Sequence, residues 1–112
     1  MINITIQHDG SHEIQSMELR GHAGFAEYGQ DIVCAAVSSL SIHTVNTLIG
    51  LAHIELDVEV DDVEGGYLRI QLPDTLTEQQ QHDAKLLLDG LVQSFVQLQE
   101  EHKENITIKE SH

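Results

Sequence analysis

Between Ser16 and Val37 the chain changes its hydrophobic period. Ser16-Met17-Glu18-Leu19-Arg20 alternates as a strand does, while from Ile32 onward apolar residues fall on nearly every side. That second pattern suits a helix buried against a sheet. Gly21, Gly24 and Gly29 separate the two within nine residues and permit backbone angles that other residues resist. A strand end and a helix start are therefore joined by a glycine-rich loop, and the rest of the chain must fold around that junction.

The flanking segments extend the pattern. Ile2-Asn3-Ile4-Thr5-Ile6 alternates, Asp9-Gly10 signals a turn, and a strand from about Glu13 to Arg20 completes a hairpin. Ile14, Met17 and Leu19 do not share one strict period, which allows a bulge. The buried helix runs from Ile32 to about Leu51, and Gly50 ends or weakens it. Its serines and threonines (Ser38, Ser39, Ser41, Thr44, Thr47) can bond back to the preceding turn and so do not forbid it.

Ile54 to Asp61 alternates with one apolar and one acidic face, the pattern of a half-buried strand. Gly65-Gly66 turns the chain, Tyr67 to Leu72 answers as a strand, and Pro73 stops it. Thr77 and Gln80 have capping-box spacing. A second helix follows, with Ala84, Leu87, Leu88, Leu91, Phe95 and Leu98 on one stripe and Gly90 weakening it slightly. Asn105 to Lys109 alternates as a short edge strand. The order is β-β-α-β-β-α with an optional short C-terminal strand. It predicts an α+β, two-layer sandwich in one domain spanning residues 1–112, with the strand order left open.

The junction also concentrates the chemistry. Cys34 is the single cysteine, and His22 precedes it by twelve positions. A sulfur nucleophile needs a base and a field that favours thiolate. His22 can be the base. With Asp31 as N-cap, Cys34 becomes the third helical residue, at the positive end of the helix dipole, although the charge of Asp31 opposes thiolate at short range. The plain alternative is a cysteine packed as an apolar residue, since Cys34 lies in the run Ile32-Val33-Cys34-Ala35-Ala36-Val37.

Gly21-His22-Ala23, then Gly29-Gln30-Asp31-Ile32-Val33-Cys34-Ala35-Ala36-Val37-Ser38, resembles the ribosomal-processing cysteine protease family of bacteria. The resemblance covers essentially the whole chain. It implies a Cys34–His22 dyad that removes a short N-terminal extension from a large-subunit ribosomal protein, number twenty-seven. Gly21, Asp31 and Ser38 are the implied supporting residues. The segment from Gly24 through Phe25, Tyr28 and Gly29 to Gln30 has no secondary-structure period, and it reads as a gating loop over the peptide. The resemblance and the exposed hairpin edges favour a homodimer. No metal or other cofactor is implied.

Composition sets the class of partner. Nineteen acidic residues against five basic ones give a net charge of −14. The scattered Arg20, Arg69, Lys85, Lys103 and Lys109 form no basic footprint for nucleic acid. An acidic surface attracts a basic polypeptide instead, such as a ribosomal protein. A second reading is therefore a non-catalytic acidic module that binds basic ribosomal proteins, and a third is a thiol redox sensor. The eight histidines show no ligand spacing, and one cysteine cannot build a thiolate cage. Asp57, Glu59, Asp61, Asp62 and Glu64 lack the EF-hand pattern and read as a solvated strand face. A single cysteine, the absence of a signal-peptide pattern and no apolar run approaching bilayer-spanning length predict a cytoplasmic chain without a membrane partner.

Overall fold

The computed structural model describes residues 1–21, 28–61 and 66–112, and of 28–31 the backbone only. The elements are β1 (Ile2–His8), β2 (Ile14–Arg20), α1 (Tyr28–Gly50), β3 (Asp57–Asp61), β4 (Tyr67–Gln71), α2 (Glu78–Glu101) and β5 (Ile106–Ser111). They form an α+β two-layer sandwich whose sheet has the order β3-β4-β2-β1-β5. The expected C-terminal strand exists and lies at an edge, parallel to β1, while the other three pairings are antiparallel.

Register explains which face is buried. Ile108, Ile4, Leu19, Leu68 and Val60 are successive partners across the sheet, as are Ile6, Met17, Ile70 and Val58. Alternation sends these rows to one face and Thr5, Glu18, Arg69 and Glu59 to the other. Val33, Val37 and Leu48 of α1 and Ala84, Leu88, Leu91 and Phe95 of α2 close over the apolar face. Each fully buried isoleucine contributes about 1.5–3 kcal/mol of transfer free energy. With few aromatics, aliphatic side chains fill most of this core.

The allowed bulge is present. Gln7 pairs with Ser16 and His8 with Ile14, leaving Gln15 as the extra residue. Its carbonyl accepts from Leu72 N at 3.0 Å and its side-chain amide donates to Leu72 O at 2.9 Å. The extra residue shifts the phase so that Ile14, Met17 and Leu19 are all buried.

Local signals in α2 hold closely. Gln80 N donates to Thr77 Oγ1 at 3.1 Å, and Thr77 N donates to Gln80 Oε1 at 3.0 Å, closing the capping box. A Cβ built on Gly90 meets nothing within 4 Å. Gly90→Ala is therefore expected to raise stability by about 0.5–1 kcal/mol, measured as a higher urea midpoint at unchanged m-value.

Three expectations are corrected. The strand expected from Ile54 begins at Asp57. Ile54 N instead bonds to Leu48 O at 3.0 Å and Leu56 N to Ile54 O at 2.9 Å, so these residues seal the end of α1 rather than pair with β4. β3 is also less buried than its alternation suggests, because Val60 at the sheet edge is 57% exposed. Finally, α1 does contain a stretch long and apolar enough to span a bilayer, Ile32–Gly50. Its small and hydroxylated residues interrupt the apolar run in sequence, yet Ile32–Gly50 carries no Asp, Glu, Lys or Arg. In the fold this helix commits one face to the sheet, and Ser41, Thr44 and Thr47 donate to the carbonyls of Val37, Leu40 and His43.

Candidate active site

The junction that the sequence points to is built at one end of the sheet. β2 ends at Arg20, and Gly21 follows with φ +83. A side chain resists that conformation. A Cβ there would also sit 2.5 Å from the Met1 carbonyl oxygen, so β1 approaches too closely for any residue but glycine. Gly21 N donates to Gly66 O at 2.8 Å, which ties the departing chain to the start of β4. Gly66, also at φ +83, is a positioning residue that the sequence marked only as part of a turn. Beside them Arg20 lies 4.6 Å from the centroid of the Tyr67 ring. Glu18 hydrogen-bonds Arg20 and raises its pKa above the ordinary guanidinium value.

Cys34 lies on α1, half-buried against the core cluster formed with Val33 and Val37. Ser38 is half-buried one turn further on. The helix, however, starts at Tyr28 rather than at Ile32. Asp31 is therefore the fourth helical residue, not the N-cap, and Cys34 is the seventh, in the second turn. Helix propagation explains the difference: once the apolar segment is packed, each added residue gains a backbone bond without a new nucleation cost. The glycine at 29 costs only about 1 kcal/mol in that setting. The dipole's influence falls off within the first turn, so it supports a Cys34 thiolate less than the capped arrangement does. The Cys34 amide also lies past the first four unpaired amides of the helix. Donors for an oxyanion from the helix start must therefore come from residues ahead of it.

The expected gating segment divides. Tyr28 and Gly29 belong to α1, so they are not loop residues as the sequence suggested. Gly24 and Phe25, together with His22, lie outside the described residues.

The other histidines have different settings. At the far end of the sheet His8 Nδ1 is 3.2 Å from the His12 carbonyl and Nε2 is 3.1 Å from Glu110, with the His112 ring stacked at 4.2 Å. Among the described residues no group of three His, Cys, Asp or Glu is arranged to hold a metal. A cavity of about 160 Å³ near the β1–β2 turn is lined by Asp9, Glu13, Leu72 and Lys85, at the opposite end of β2 from Gly21.

Comparison with known proteins gives this geometry its context. Residues 1–107 match the family described as cysteine protease Prp. The ribosomal processing cysteine protease Prp of Bacillus subtilis is 35% identical over 108 residues, covering 96% of both chains. Its Staphylococcus aureus counterpart is 35% identical over 107 residues, with 96% and 94% covered. Among solved structures, a Streptococcus mutans protein superposes at TM-score 0.88 with 38% identity, covering 98% of this chain and 93% of that one. The Staphylococcus aureus ribosomal processing protease Prp in complex with a substrate peptide superposes at TM-score 0.87 with 32% identity, covering 99% and 100%. The same protease with a covalently linked product peptide gives 0.84 and 33%, with the same coverage. A relative sharing a third of its residues over nearly the full length shares the family, and this chain is a cysteine protease of the Prp family.

Proposed function

We propose that this chain is an endopeptidase that removes a short N-terminal extension from the large-subunit ribosomal protein numbered twenty-seven, with Cys34 as nucleophile and His22 as base. One observation carries the nucleophile: a cysteine protease needs a cysteine, and this chain has one. The solved Staphylococcus aureus complexes with substrate and covalently linked product peptides, from a protease of the same fold, support a peptide substrate.

The chemistry follows from those two side chains. His22 takes the thiol proton, and the Cys34 sulfur attacks the scissile carbonyl. As the tetrahedral intermediate collapses, the imidazolium returns a proton to the departing amine, leaving a thioester on Cys34. Water then attacks the thioester, His22 accepts its proton, and the carboxylate product leaves as the thiol is restored. Gly21, the residue directly before His22, is fixed by the Met1 carbonyl and by its bond to Gly66, and so sets where His22 begins, while Ser38 supports the substrate side of Cys34. Gly24 and Phe25 remain the proposed gate. Residues 1–112 act as one protease domain, a homodimer in the cytoplasm where ribosomes are assembled.

Charge favours the same substrate. Asp57, Glu59 and Asp61 are exposed along β3, which runs toward the end of the sheet that carries Gly21. With a net charge of −14, the chain attracts a basic polypeptide and raises its encounter rate. Incubating the chain with a peptide spanning the ribosomal protein's N-terminal extension, read by mass spectrometry, is expected to give a single cleavage. Cys34→Ala is expected to bind the peptide without cutting it. An intact peptide after prolonged incubation with the wild-type chain would reject this substrate.

A further inference from the structure

One edge of the sheet offers backbone groups that find no partner among the described residues. β3 is the terminal strand, bonded to β4 on one side only. Gly21 N donates to Gly66 O and Leu72 N donates to Gln15 O. Even-numbered residues from Gly66 to Leu72 therefore turn their backbone groups toward β2. Tyr67, Arg69 and Gln71 turn theirs toward β3, where they meet Asp61, Glu59 and Asp57. By the same alternation, the N–H and C=O groups of Val58 and Val60 point out of the sheet. Val60 is also 57% exposed, so its side chain leaves room for a neighbour on that side.

Charge selects the occupant of this edge. Asp57, Glu59 and Asp61 are exposed on the open face of the sheet, while Val58 and Val60 belong to the face that the helices cover. Among the described residues neither Asp57 nor Glu59 makes an ion pair. Arg69, across from Glu59, hydrogen-bonds Gln71 instead. A second copy joined edge to edge would set these carboxylates against their own counterparts, which is destabilising. A short acidic edge thus resists self-association, yet the same row attracts a strand with cations at every second position. The opposite edge has no such single sign, since Lys109 stands beside Glu110 on β5.

We infer that β3 captures an extended basic segment of the polypeptide substrate by strand addition, antiparallel and bonded through Val58 and Val60. Residues of the segment opposite Asp57, Glu59 and Asp61 are basic, and those opposite Val58 and Val60 are apolar and cover the exposed Val60 side chain. Antiparallel pairing suits an edge with one face open to water. β3 ends at Asp61, which pairs with Tyr67, and Tyr67 pairs with Arg20 beside Gly21. A strand bound at this edge is therefore led toward the end of the sheet that carries the junction. The edge sets affinity and leaves the chemistry to the reacting side chains. This inference rests on the proposed polypeptide substrate, but its first test does not depend on cleavage.

The probe is an acetylated nonapeptide amide alternating lysine with valine, titrated into the Cys34→Ala chain. It is expected to shift the amide resonances of Val58 and Val60 and to slow their hydrogen exchange. N-methylation of the probe's valines, whose amides face β3, is expected to weaken binding at least about 10-fold. N-methylation of its lysines, whose amides face away, is expected to change binding less than about 3-fold, at the same charge. Val60→Pro removes one outward donor without touching the bonds to β4, and is expected to weaken binding about 10-fold with a thermal midpoint near wild type. Asp57→Asn combined with Glu59→Gln is expected to weaken it about 5-fold at roughly 50 mM salt. In the active chain, Val60→Pro is expected to raise KM for a ribosomal-protein peptide spanning the cut and its nearest basic residues, with kcat held within about 2-fold. Equal losses from the two methylated probes, unshifted Val58 and Val60 amides, or an unchanged KM would overturn the inference. So would protection of the same amides with rising chain concentration and no probe, since a second copy would then occupy the edge. Probe binding at β3 by a chain that leaves the ribosomal peptide intact would reject that substrate and uphold the edge as a site for basic strands.

Discussion

Cys34→Ser is expected to lower the cleavage rate by at least about 10³-fold while leaving the fold in place. Oxygen is smaller than sulfur, and Cys34 is only half-buried, so the packing loss is small. A thermal midpoint within a few degrees of wild type is expected, on the order of 1 kcal/mol. The chemical loss is large because a hydroxyl has a far higher pKa than a thiol, and this site supplies little dipole help from a helix whose start lies two turns' worth of residues ahead of the sulfur. In the proposed dyad the burden of activation falls on His22, so His22→Ala is expected to approach the same loss. Reaction of Cys34 with iodoacetamide separates the two variants: His22→Ala is expected to react more slowly at neutral pH and to recover as pH rises. Sustained cleavage by Cys34→Ser would require another nucleophile and would end the assignment.

Gly21→Ala is expected to be the most damaging substitution that touches neither reacting group. Alanine at φ +83 costs about 1–2 kcal/mol of backbone strain. Its Cβ would sit 2.5 Å from the Met1 carbonyl, which is backbone and cannot rotate aside. Nor can β1 readily retreat, because Ile2 is buried and its amide donates to Asn105 O at 2.7 Å. A total cost of roughly 2–4 kcal/mol follows, or about 8 °C or more in Tm. Cleavage should fall further than stability explains, because the displaced residue directly precedes His22. Gly10→Ala is the control, since a Cβ there meets nothing within 4 Å. A wild-type melting curve for Gly21→Ala would show that the contact with Met1 yields freely.

Several elements were legible because their causes are local. The capping box at Thr77 and Gln80 needs two residues three apart, and the α2 stripe needs only helical spacing among Ala84, Leu88, Leu91 and Phe95. The bulge at Gln15 showed itself as a break in period between Ile14 and Met17. The start of α1 was misplaced because the apolar run marks where the helix is buried, whereas cooperativity carries the backbone on to Tyr28. For the candidate site, the motif from Gly21 to Ser38 was legible as a resemblance, and Cys34 stood out as the single cysteine. The part played by Gly66 was not, because nothing in a Gly-Gly turn says which strand it will be tied to.

What the sequence determined by itself is therefore the order of elements, the buried stripe of α2, the alternation of β1 and β4, and the single cysteine. Each depends on side-chain identity at short spacing. Tertiary structure decided the order β3-β4-β2-β1-β5, the parallel seating of β5 beside β1, and the meeting of Gly21 with Met1 and Gly66. It also decided that Ile32, Ile42 and Ile49 face outward while Val33, Val37 and Leu48 face the core. These are choices among contacts far apart in the chain. Apolar side chains on either face of α1 could have satisfied the sheet equally by composition, and only the packed geometry settles which face does.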